Sequence, residues 1–198
     1  MYTFRALSPL RRMSFTNIRL WKKKGDVYFY PFPKGVPHVS KAETLIYLEE
    51  QRKRPNLLPF AVIDSASGEF AGMMACLNAI KIVPNFRGTY VFRHACYLML
   101  SYALNLKMEG GLGLVRVGWR TPPGNVQSQK AAAKMEFTRE GVMRCHEVSG
   151  NIPNDTLYTD AVVVLDGSGR KTEDGMVFLM TMFDWLAEGK KGALRQKL

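Results

Sequence analysis

The order of segments across residues 83–144 constrains the fold more than any other feature of the chain. A short apolar strand is followed by a basic turn at residues 85–89, and apolar residues at spacings of three and four then predict a helix over residues 89–106. A second apolar strand, over residues 114–119, leads through a proline-glycine turn to another helix over residues 125–135. This order predicts one β-α-β crossover in a mixed α/β domain rather than a regular doubly wound sheet.

Helix and strand signals elsewhere complete an α+β pattern. Ser40 and Glu43 form a capping box, which predicts a helix over residues 41–53. The other predicted strands cover residues 60–64, 70–77, 80–83, 137–148 and 176–180, with a short further strand at 161–165. The first two form a hairpin around a turn at residues 65–68, and Thr181 caps a C-terminal amphipathic helix with a basic end.

Length and composition are those of one globular domain. The chain has 198 residues, of which 46% are hydrophobic and 23% charged. We expect a basic N-terminal arm over residues 1–26 and one domain over residues 27–198. No run of about 18 apolar residues occurs, so we expect no membrane span. Cys76, Cys96 and Cys145 lie far apart without a C-x-x-C pair, which predicts reduced core thiols and no metal site.

The chain carries a net charge of +11, and its N-terminal arm is basic. No acidic residue precedes Asp26, whereas seven basic residues do: Arg5, Arg11, Arg12, Arg19, Lys22, Lys23 and Lys24. Such a start is typical of mitochondrial transit peptides and also of ordinary basic arms. We favour the basic arm and therefore expect a cytoplasmic protein, with a mitochondrial location as the alternative. The charge suits a polyanionic ligand. We expect no nucleic-acid partner, because no RNA-binding motif is visible and a solvated basic surface explains the charge.

The basic turn at residues 85–89 is the first segment with a chemical signature. A strand end, a turn and a helix start leave backbone N–H groups pointing outward, and the helix dipole adds partial positive charge there. Arg87 adds a full charge that can pair with a phosphate through two hydrogen bonds. A plain strand-to-helix turn with an exposed arginine has the same sequence, and the loop taken alone favours that interpretation.

Residues on both sides of this turn follow a definite order. Pro84, Arg87 and Gly88 mark the turn, Ala95 follows in the first helix, and Asn125 and Ser128 mark the next polar turn and helix. The later members of the set are Lys134, Met135, Glu136, Phe137, Glu140, Gly141 and Arg144. The set resembles the acyl-CoA-binding half of the GNAT superfamily of N-acetyltransferases. Within it, the set is similar to fungal-type members of the branch of ribosomal-protein N-terminal acetyltransferases.

The resemblance implies the GNAT acyl-CoA N-acyltransferase fold, an α+β fold with a central, mostly antiparallel sheet that splays at the cofactor strands. Acetyl-CoA, the co-substrate, would lie between the strands predicted at residues 80–83 and 114–119. Its pantetheine arm would pair with the first strand, and its pyrophosphate would lie on the basic turn. The residues implied to contact acetyl-CoA are Ile82, Val83, Arg87, Gly88, Thr89, Tyr90, Val91, Asn125 and Ser128.

Asn125 and Ser128 carry the chemistry that the resemblance implies. Asn125 would lie near the pantetheine arm, and Ser128 would lie near the thioester sulfur, where its hydroxyl could protonate the leaving thiolate. The implied reaction is direct attack of a neutral primary amine on the thioester, with no covalent enzyme intermediate. Both residue types also cap helices well, so capping is an equal interpretation, and the two roles can hold together.

Three departures from the family pattern lie in the same stretch. Tyr90 and Phe92 stand where the family has small residues; Tyr90 could crowd the anion, or it could turn away and lend its hydroxyl as a donor. Residues 70–83 must supply two strands, which leaves only Asn78 and Ala79 for a turn and predicts a very short cofactor strand. Glu136 replaces the usual glycine before the next strand, which predicts a strained turn.

Three hypotheses follow for the function. The first is an N-acetyltransferase that moves an acetyl group from acetyl-CoA to a primary amine, either a small amine or a protein or peptide N-terminus. The second, favoured by the short cofactor strand, is a non-catalytic GNAT-fold protein that binds CoA or a protein partner. The third is nucleic-acid binding, which rests on the net charge of +11 and on aromatic residues near basic ones. We adopt the first, as a monomer or homodimer.

Overall fold

The structure is a computed structural model, and it describes residues 5–6, 53, 58–76, 79–82, 84–149, 162–163 and 171–198. The helix predicted over residues 41–53 lies outside these ranges except for Lys53, which is helical. Val83, one of the predicted cofactor contacts, also lies outside them. The predicted boundary between arm and domain at residue 26 remains a prediction.

The first of two compact units, residues 1–99, contains a four-stranded antiparallel sheet in the order β1-β2-β3-β4. Its strands are β1 (Arg5–Ala6), β2 (Leu58–Ile63), β3 (Phe70–Cys76) and β4 (Ala79–Ile82). The predicted hairpin is confirmed as β2 and β3, with Phe60 opposite Met74. Its turn is closed by a hydrogen bond from Gly68 N to Asp64 O (2.8 Å).

Strand β4 ends this sheet and has four residues. Ala75 pairs with Ala79, which leaves residues 76–78 between the paired positions and makes Ala79 part of the strand. The predicted turn at Asn78 and Ala79 is therefore wrong at its second residue, because the ladder between β3 and β4 continues to Ala79. The strand predicted over residues 80–83 is present as β4, with four residues in the described range, and its role as a cofactor strand stays a prediction.

The helix α1 (Tyr90–Leu104) follows β4 through a 3₁₀ turn at Pro84–Phe86. Its C-terminal carbonyl groups are taken by the chain that follows: Leu112 N donates to Tyr102 O (2.7 Å) and Leu114 N donates to Ala103 O (2.9 Å). This return ends the helix two residues before the predicted position, because the last carbonyls already have partners outside a helix.

The second unit, residues 100–198, contains another antiparallel sheet in the order β5-β8-β6, with β7 also paired to β8. Its strands are β5 (Arg116–Thr121), β6 (Thr138–Ser149), β7 (Val162–Val163) and β8 (Lys171–Thr181). The strand predicted over residues 176–180 is confirmed but begins earlier. Its first half pairs with the far end of the long strand β6, where Val148 lies opposite Thr172.

Strand β5 differs from its prediction in position and in burial. The sequence predicts a buried strand over residues 114–119, whereas β5 spans Arg116–Thr121 and alternates between exposed and less exposed positions. Leu114 and Val115 precede the strand and are 39% and 73% exposed. The apolar run is typical of a strand that is buried on both faces. However, β5 lies at the end of an antiparallel sheet, and antiparallel sheets commonly leave one face exposed to solvent.

The helices of the second unit, within the described residues after α1, are α2 (Val126–Lys134), α3 (Met182–Leu186) and α4 (Lys190–Gln196). Thr181 caps α3 as predicted, in a capping box with Asp184. The single C-terminal helix of the prediction is divided in two, because the chain turns at Gly189, which has a left-handed φ of 79°. No helix in the described ranges is long and apolar enough to cross a membrane.

Apolar side chains are buried in both units. In the first unit they are Phe60, Val62, Phe70, Ala71, Met74, Val91, Ala95, Cys96 and Met99. In the second unit they are Leu100, Ala103, Leu104, Ala132, Met135, Phe137, Met176, Phe178, Leu179, Met180, Trp185 and Leu194. All strand pairs among the described residues are antiparallel, and the prediction of an α+β fold is confirmed.

The two cysteines whose side chains the structure describes differ in environment. Cys96 is buried in α1, and burial raises the pKa of its thiol, which keeps it protonated and inert. Cys145 is exposed in β6 with a left-handed φ of 49°, so the prediction of a core thiol is wrong there. The cause is a register shift between Met143 and Glu147, which interrupts the strand alternation at this position.

Candidate cofactor site and active site

The turn after β4 has the geometry of an anion-binding helix start. Gly88 has a φ of 75°, and a side chain there would meet nothing within 4 Å, so the backbone conformation rather than space requires glycine. Within the part of the chain that the structure describes, no acceptor takes the Gly88 N–H. The first turn of α1 contains no acidic residue. The turn therefore offers a free donor beside the positive end of the helix dipole.

Thr89 caps α1 with its own side chain. Its hydroxyl donates to Phe86 O (2.7 Å) and accepts from Val91 N (3.3 Å). Thr89 N also donates to Phe86 O, at 3.4 Å. The N–H groups of Thr89 and Val91 therefore have partners within the turn, whereas the Gly88 N–H has none among the described residues.

Arg87 is exposed and is anchored at the end of β4. Its Nε donates to Ile82 O at 3.1 Å, so the guanidinium is tied to the last residue of the terminal strand. The hydrogen bond holds this side chain beside the turn, and an arginine guanidinium is a group that pairs well with phosphate. Two residues that the sequence assigns to acetyl-CoA are thus brought together in the first unit.

Tyr90 directs its hydroxyl to a carboxylate of the protein. The hydroxyl donates to Asp64 Oδ1 (2.7 Å), and the ring meets that of His94 edge-on at a centroid distance of 5.5 Å. Of the two outcomes that the sequence leaves open for Tyr90, the side chain lends its hydroxyl as a donor, with Asp64 as the acceptor. The tyrosine is thereby held against the turn that joins β2 to β3.

Asp64 is a buried carboxylate, 5% exposed, with both oxygens hydrogen-bonded. Besides Tyr90, it accepts from Ser67 N (3.0 Å) and from Ser67 Oγ (2.7 Å), both at Oδ2. The hydrogen bond from Tyr90, followed by that from the Ser67 side chain, lowers the pKa of Asp64 against the opposing effect of burial. The carboxylate is therefore ionised at neutral pH, and sequence reasoning did not identify it.

Asn125 caps α2, which confirms one of its two predicted roles. Its Oδ1 accepts from Ser128 N at 3.0 Å. The Ser128 side chain does not cap the helix: its Oγ accepts from Trp119 Nε1 at 2.9 Å. The capping interpretation is therefore wrong for the Ser128 hydroxyl, because an indole donor from β5 reaches it.

Trp119 is the second residue that sequence reasoning missed. Period two along β5 places it on the less exposed face with Val117 and Thr121, and this signal is available from the sequence. Its contact with Ser128 has no signal in the sequence, because it depends on how α2 lies against β5.

Two other features of the described residues bear on the site. No group of three or more histidine, cysteine, aspartate or glutamate residues within the described ranges could hold a metal ion. An apolar depression in the second unit contains none of the predicted site residues. It is lined by Val115, Thr181, Met182, Phe183, Leu186 and Ala187.

Solved structures share this fold. A GCN5-related N-acetyltransferase from Brucella melitensis matches with a TM-score of 0.61 and 25% sequence identity, over 81% of this chain and 66% of that chain. A protein from Chromobacterium violaceum assigned to the GNAT family matches with a TM-score of 0.65 and 20% identity, over 92% and 83% of the two chains. The spermidine/spermine N-acetyltransferase SpeG from Vibrio cholerae matches with a TM-score of 0.59 and 14% identity, over 94% and 95%.

These likenesses show that the chain has the GNAT acyltransferase fold, as the sequence predicts. The structural neighbours are GNAT-family acetyltransferases, and this chain spans about two thirds of the Brucella protein. No protein-family model matches the sequence, and no curated protein matches it. At identities of 25% and below, these likenesses show the shared fold and do not identify the branch or the acceptor.

Proposed function

We propose that this protein is a GNAT-type N-acetyltransferase that moves an acetyl group from acetyl-CoA to a primary amine. The observation that carries the proposal is the turn around Gly88, where a free N–H, a helix start and Arg87 occur together after the terminal strand β4. Phosphate groups bind at such helix starts because the N–H groups and the dipole both favour negative charge. We assign the pyrophosphate of acetyl-CoA to this turn and the pantetheine arm to the backbone of β4.

Asn125 and Ser128 supply the polar groups of the second unit. Asn125 Oδ1 is taken by the helix cap, so its side-chain NH₂ is the group that we assign to the pantetheine arm. The amine nitrogen bonds to the acetyl carbon, the carbon–sulfur bond breaks, and sulfur keeps the electron pair. Ser128 gives its hydroxyl proton to that sulfur, and the proton released by the amine returns through solvent to Ser128. The products are an N-acetyl amine and CoA with a free thiol.

The acceptor belongs to one of two classes of primary amine. The ordered residues from Pro84 to Arg144 support the ribosomal-protein N-terminal acetyltransferase branch, and with it a protein or peptide N-terminus. The Vibrio cholerae neighbour is a spermidine/spermine N-acetyltransferase, which makes polyamines the second class to test. We rank peptide N-termini first, because the ordered set lies in the segment that carries the cofactor site.

Calorimetry with acetyl-CoA and with CoA tests the cofactor assignment. We expect dissociation constants in the micromolar range and about tenfold or greater weakening in Arg87→Ala, because a charge-assisted pair is lost. Arg139→Ala is the matched control, since it removes an exposed arginine of the second unit and changes the net charge equally. Equal weakening in both variants would assign the binding to net charge rather than to the turn.

Release of free CoA thiol, followed by mass spectrometry of the acceptor, tests the reaction. The acceptors are spermidine, spermine and short peptides with varied free N-termini, each with acetyl-CoA. We expect acetylation of at least one class and an about 100-fold lower kcat in Ser128→Ala. Failure of the folded wild-type protein to acetylate any of them would contradict the enzymatic proposal.

A second candidate function is binding of CoA without catalysis. The short strand β4, four residues long, favours it, because it offers few backbone groups to the pantetheine arm. Micromolar CoA binding without turnover would support this alternative. Turnover of the wild-type protein would exclude it.

A further inference from the structure

The Ser128 hydroxyl accepts a hydrogen bond from the protein, and its own proton remains available for donation. Its Oγ accepts a hydrogen bond from Trp119 Nε1 at 2.9 Å, and its backbone N donates to Asn125 Oδ1 at 3.0 Å. A serine hydroxyl has one O–H and two acceptor lone pairs. Among the residues that the structure describes, no acceptor takes the Ser128 O–H. The proton is therefore directed away from Trp119 and is available to a bound molecule.

The indole N–H is well suited to this task because it can only donate. A second hydroxyl in its place could reverse the hydrogen bond and take the serine proton, whereas Trp119 leaves Ser128 Oγ as the acceptor. A hydrogen bond donated to Oγ also stabilises the negative charge that develops there as the proton leaves. Trp119 can thus set both the direction and the acidity of the hydroxyl.

The position of Trp119 is set by β5 and by residues at both ends of α2. In the sheet it lies opposite Phe178 of β8. Its ring meets that of Phe137, the residue just before β6, edge-on at a centroid distance of 5.6 Å, and Phe137 is 8% exposed. Its Nε1 reaches Ser128 in the first turn of α2. The indole therefore has fixed contacts on the strand, at the start of the helix and just after its end.

We propose that Trp119 is a positioning residue for acetyl transfer, which orients the Ser128 hydroxyl toward the departing sulfur and assists its proton transfer. This inference rests on the proposed acetyltransferase function. In this reaction the amine nitrogen bonds to the acetyl carbon, and sulfur leaves with its electron pair and takes the Ser128 proton. The proton released by the amine then restores the Ser128 hydroxyl. Trp119 keeps its own proton throughout.

A double-mutant cycle with Trp119→Phe and Ser128→Ala tests the inference, with acetyl-CoA and the acceptor that the wild-type protein acetylates fastest. Phenylalanine keeps an aromatic ring beside Phe137 and removes the donor. We expect kcat to fall about fivefold in Trp119→Phe, with the KM for acetyl-CoA unchanged. In the Ser128→Ala background we expect the same substitution to change kcat by less than about twofold, because Trp119 acts through the hydroxyl.

Two further variants separate this role from damage to the fold. Replacement of Trp119 by benzothienylalanine, in which sulfur replaces the indole N–H, keeps the shape of the ring and should lower kcat as much as phenylalanine does. Trp185→Phe is the matched control: it removes another indole hydrogen bond, to Asn105 Oδ1 at 2.9 Å, and should lower the Tm with little change in kcat. Wild-type kcat with benzothienylalanine would overturn the inference.

The outcomes distinguish this inference from the proposed function. Acetyl transfer by the wild-type protein with equal kcat in Trp119→Phe overturns the role of Trp119 alone. An equal loss of kcat on Trp119→Phe in the wild-type and Ser128→Ala backgrounds would assign Trp119 to packing and would also overturn its proposed role. Absence of transfer by the folded wild-type protein overturns the proposed function, and the inference with it.

Discussion

Glu136 has a left-handed backbone conformation, with a φ of 61°, directly after α2. Phe137 N donates to Ala132 O (3.1 Å) and Glu136 N donates to Ala133 O (3.0 Å), the pair of hydrogen bonds that closes a helix with a left-handed residue. Glycine is favoured at this position because it has no Cβ to clash. The left-handed conformation is what the missing glycine leads one to expect, and the strain itself stays a prediction. The Glu136 carboxylate pairs with Lys197 Nζ.

Replacement of Glu136 measures that strain. We expect Glu136→Gly to have a free energy of unfolding about 1 kcal/mol above that of Glu136→Ala, because only glycine relieves the left-handed conformation. Both variants lose the same partly exposed ion pair, so the comparison cancels its contribution. Urea denaturation followed by circular dichroism gives the difference. Equal stabilities, or a more stable alanine variant, would contradict the strain.

Side-chain partners mark the limit of sequence reasoning at the scale of single residues. Asn125 has a capping residue type at a helix start, so its cap could be predicted from local sequence. Tyr90 and Asp64 are 26 residues apart, and their hydrogen bond forms because the hairpin turn and the start of α1 meet. No local pattern encodes that meeting. The same holds for Trp119 and Ser128, although only nine residues separate them.

The short helix α3 is held at its start by a capping box. Asp184 Oδ2 accepts from both the N and the hydroxyl of Thr181, at 2.7 Å each, and Lys190 Nζ lies 3.1 Å from Asp184 Oδ1. Partial burial opposes ionisation of Asp184. The hydrogen bonds from Thr181 and the interaction with Lys190 outweigh it and lower the pKa of the carboxyl to about 2. Five residues make a weak helix without such contacts.

The lowered pKa of Asp184 predicts a pH-dependent contribution to stability. The folded-state value of about 2 lies below the ordinary value of 3.8. The contribution is therefore fully present above about pH 4 and is lost as the pH falls toward 2. We expect Asp184→Asn to lower the free energy of unfolding by about 2 kcal/mol at pH 7. Denaturation at several pH values should show the difference shrinking below pH 4.

Glu109→Gln is the control for that experiment. Glu109 pairs with Lys191 at 3.6 Å, and both side chains are substantially exposed, at 46% and 33%. Exposed pairs contribute little, so we expect a change below about 0.5 kcal/mol with no matching pH dependence. A difference between wild type and Asp184→Asn that persists unchanged to pH 2 would contradict the assignment.

Element types could be predicted better than element ends. The periodicity of apolar residues predicts α1, and Thr181 predicts the start of α3, because both signals are local in sequence. The ends depended on pairing: β8 begins early because β6 is long, and α1 stops where the following loop takes its last carbonyls. The two helices after Thr181 were predicted as one, since Gly189 is a weak signal until its φ is known.

The net charge of +11 acts over the whole molecule and favours binding of any polyanion. A cofactor that is recognised specifically should therefore bind more tightly than another ligand with similar phosphate groups. At acetyl-CoA concentrations about 100 times the dissociation constant, we expect about 2.7 kcal/mol of added stability. For a chain of this size that corresponds to a Tm rise of about 5–10 °C, measurable by differential scanning fluorimetry.

Adenosine 3′,5′-bisphosphate is the control ligand, because it carries phosphates but no pantetheine arm. We expect a smaller Tm rise with it, and one that disappears at high salt as exposed charges are screened. Equal shifts with the two ligands would assign the effect to charge alone.

The sequence by itself determined most of the order of helices and strands, the glycine in the turn before α1 and the asparagine that starts α2. These follow from local rules: period along the chain, capping preference, and the backbone freedom of glycine at position 88. The tertiary structure alone decided that Tyr90 is held by Asp64, that Arg87 is tied to Ile82 and that Trp119 donates to Ser128. Those contacts join separate elements, and a hydrogen bond between elements exists only once packing has brought its donor and acceptor within about 3 Å of each other.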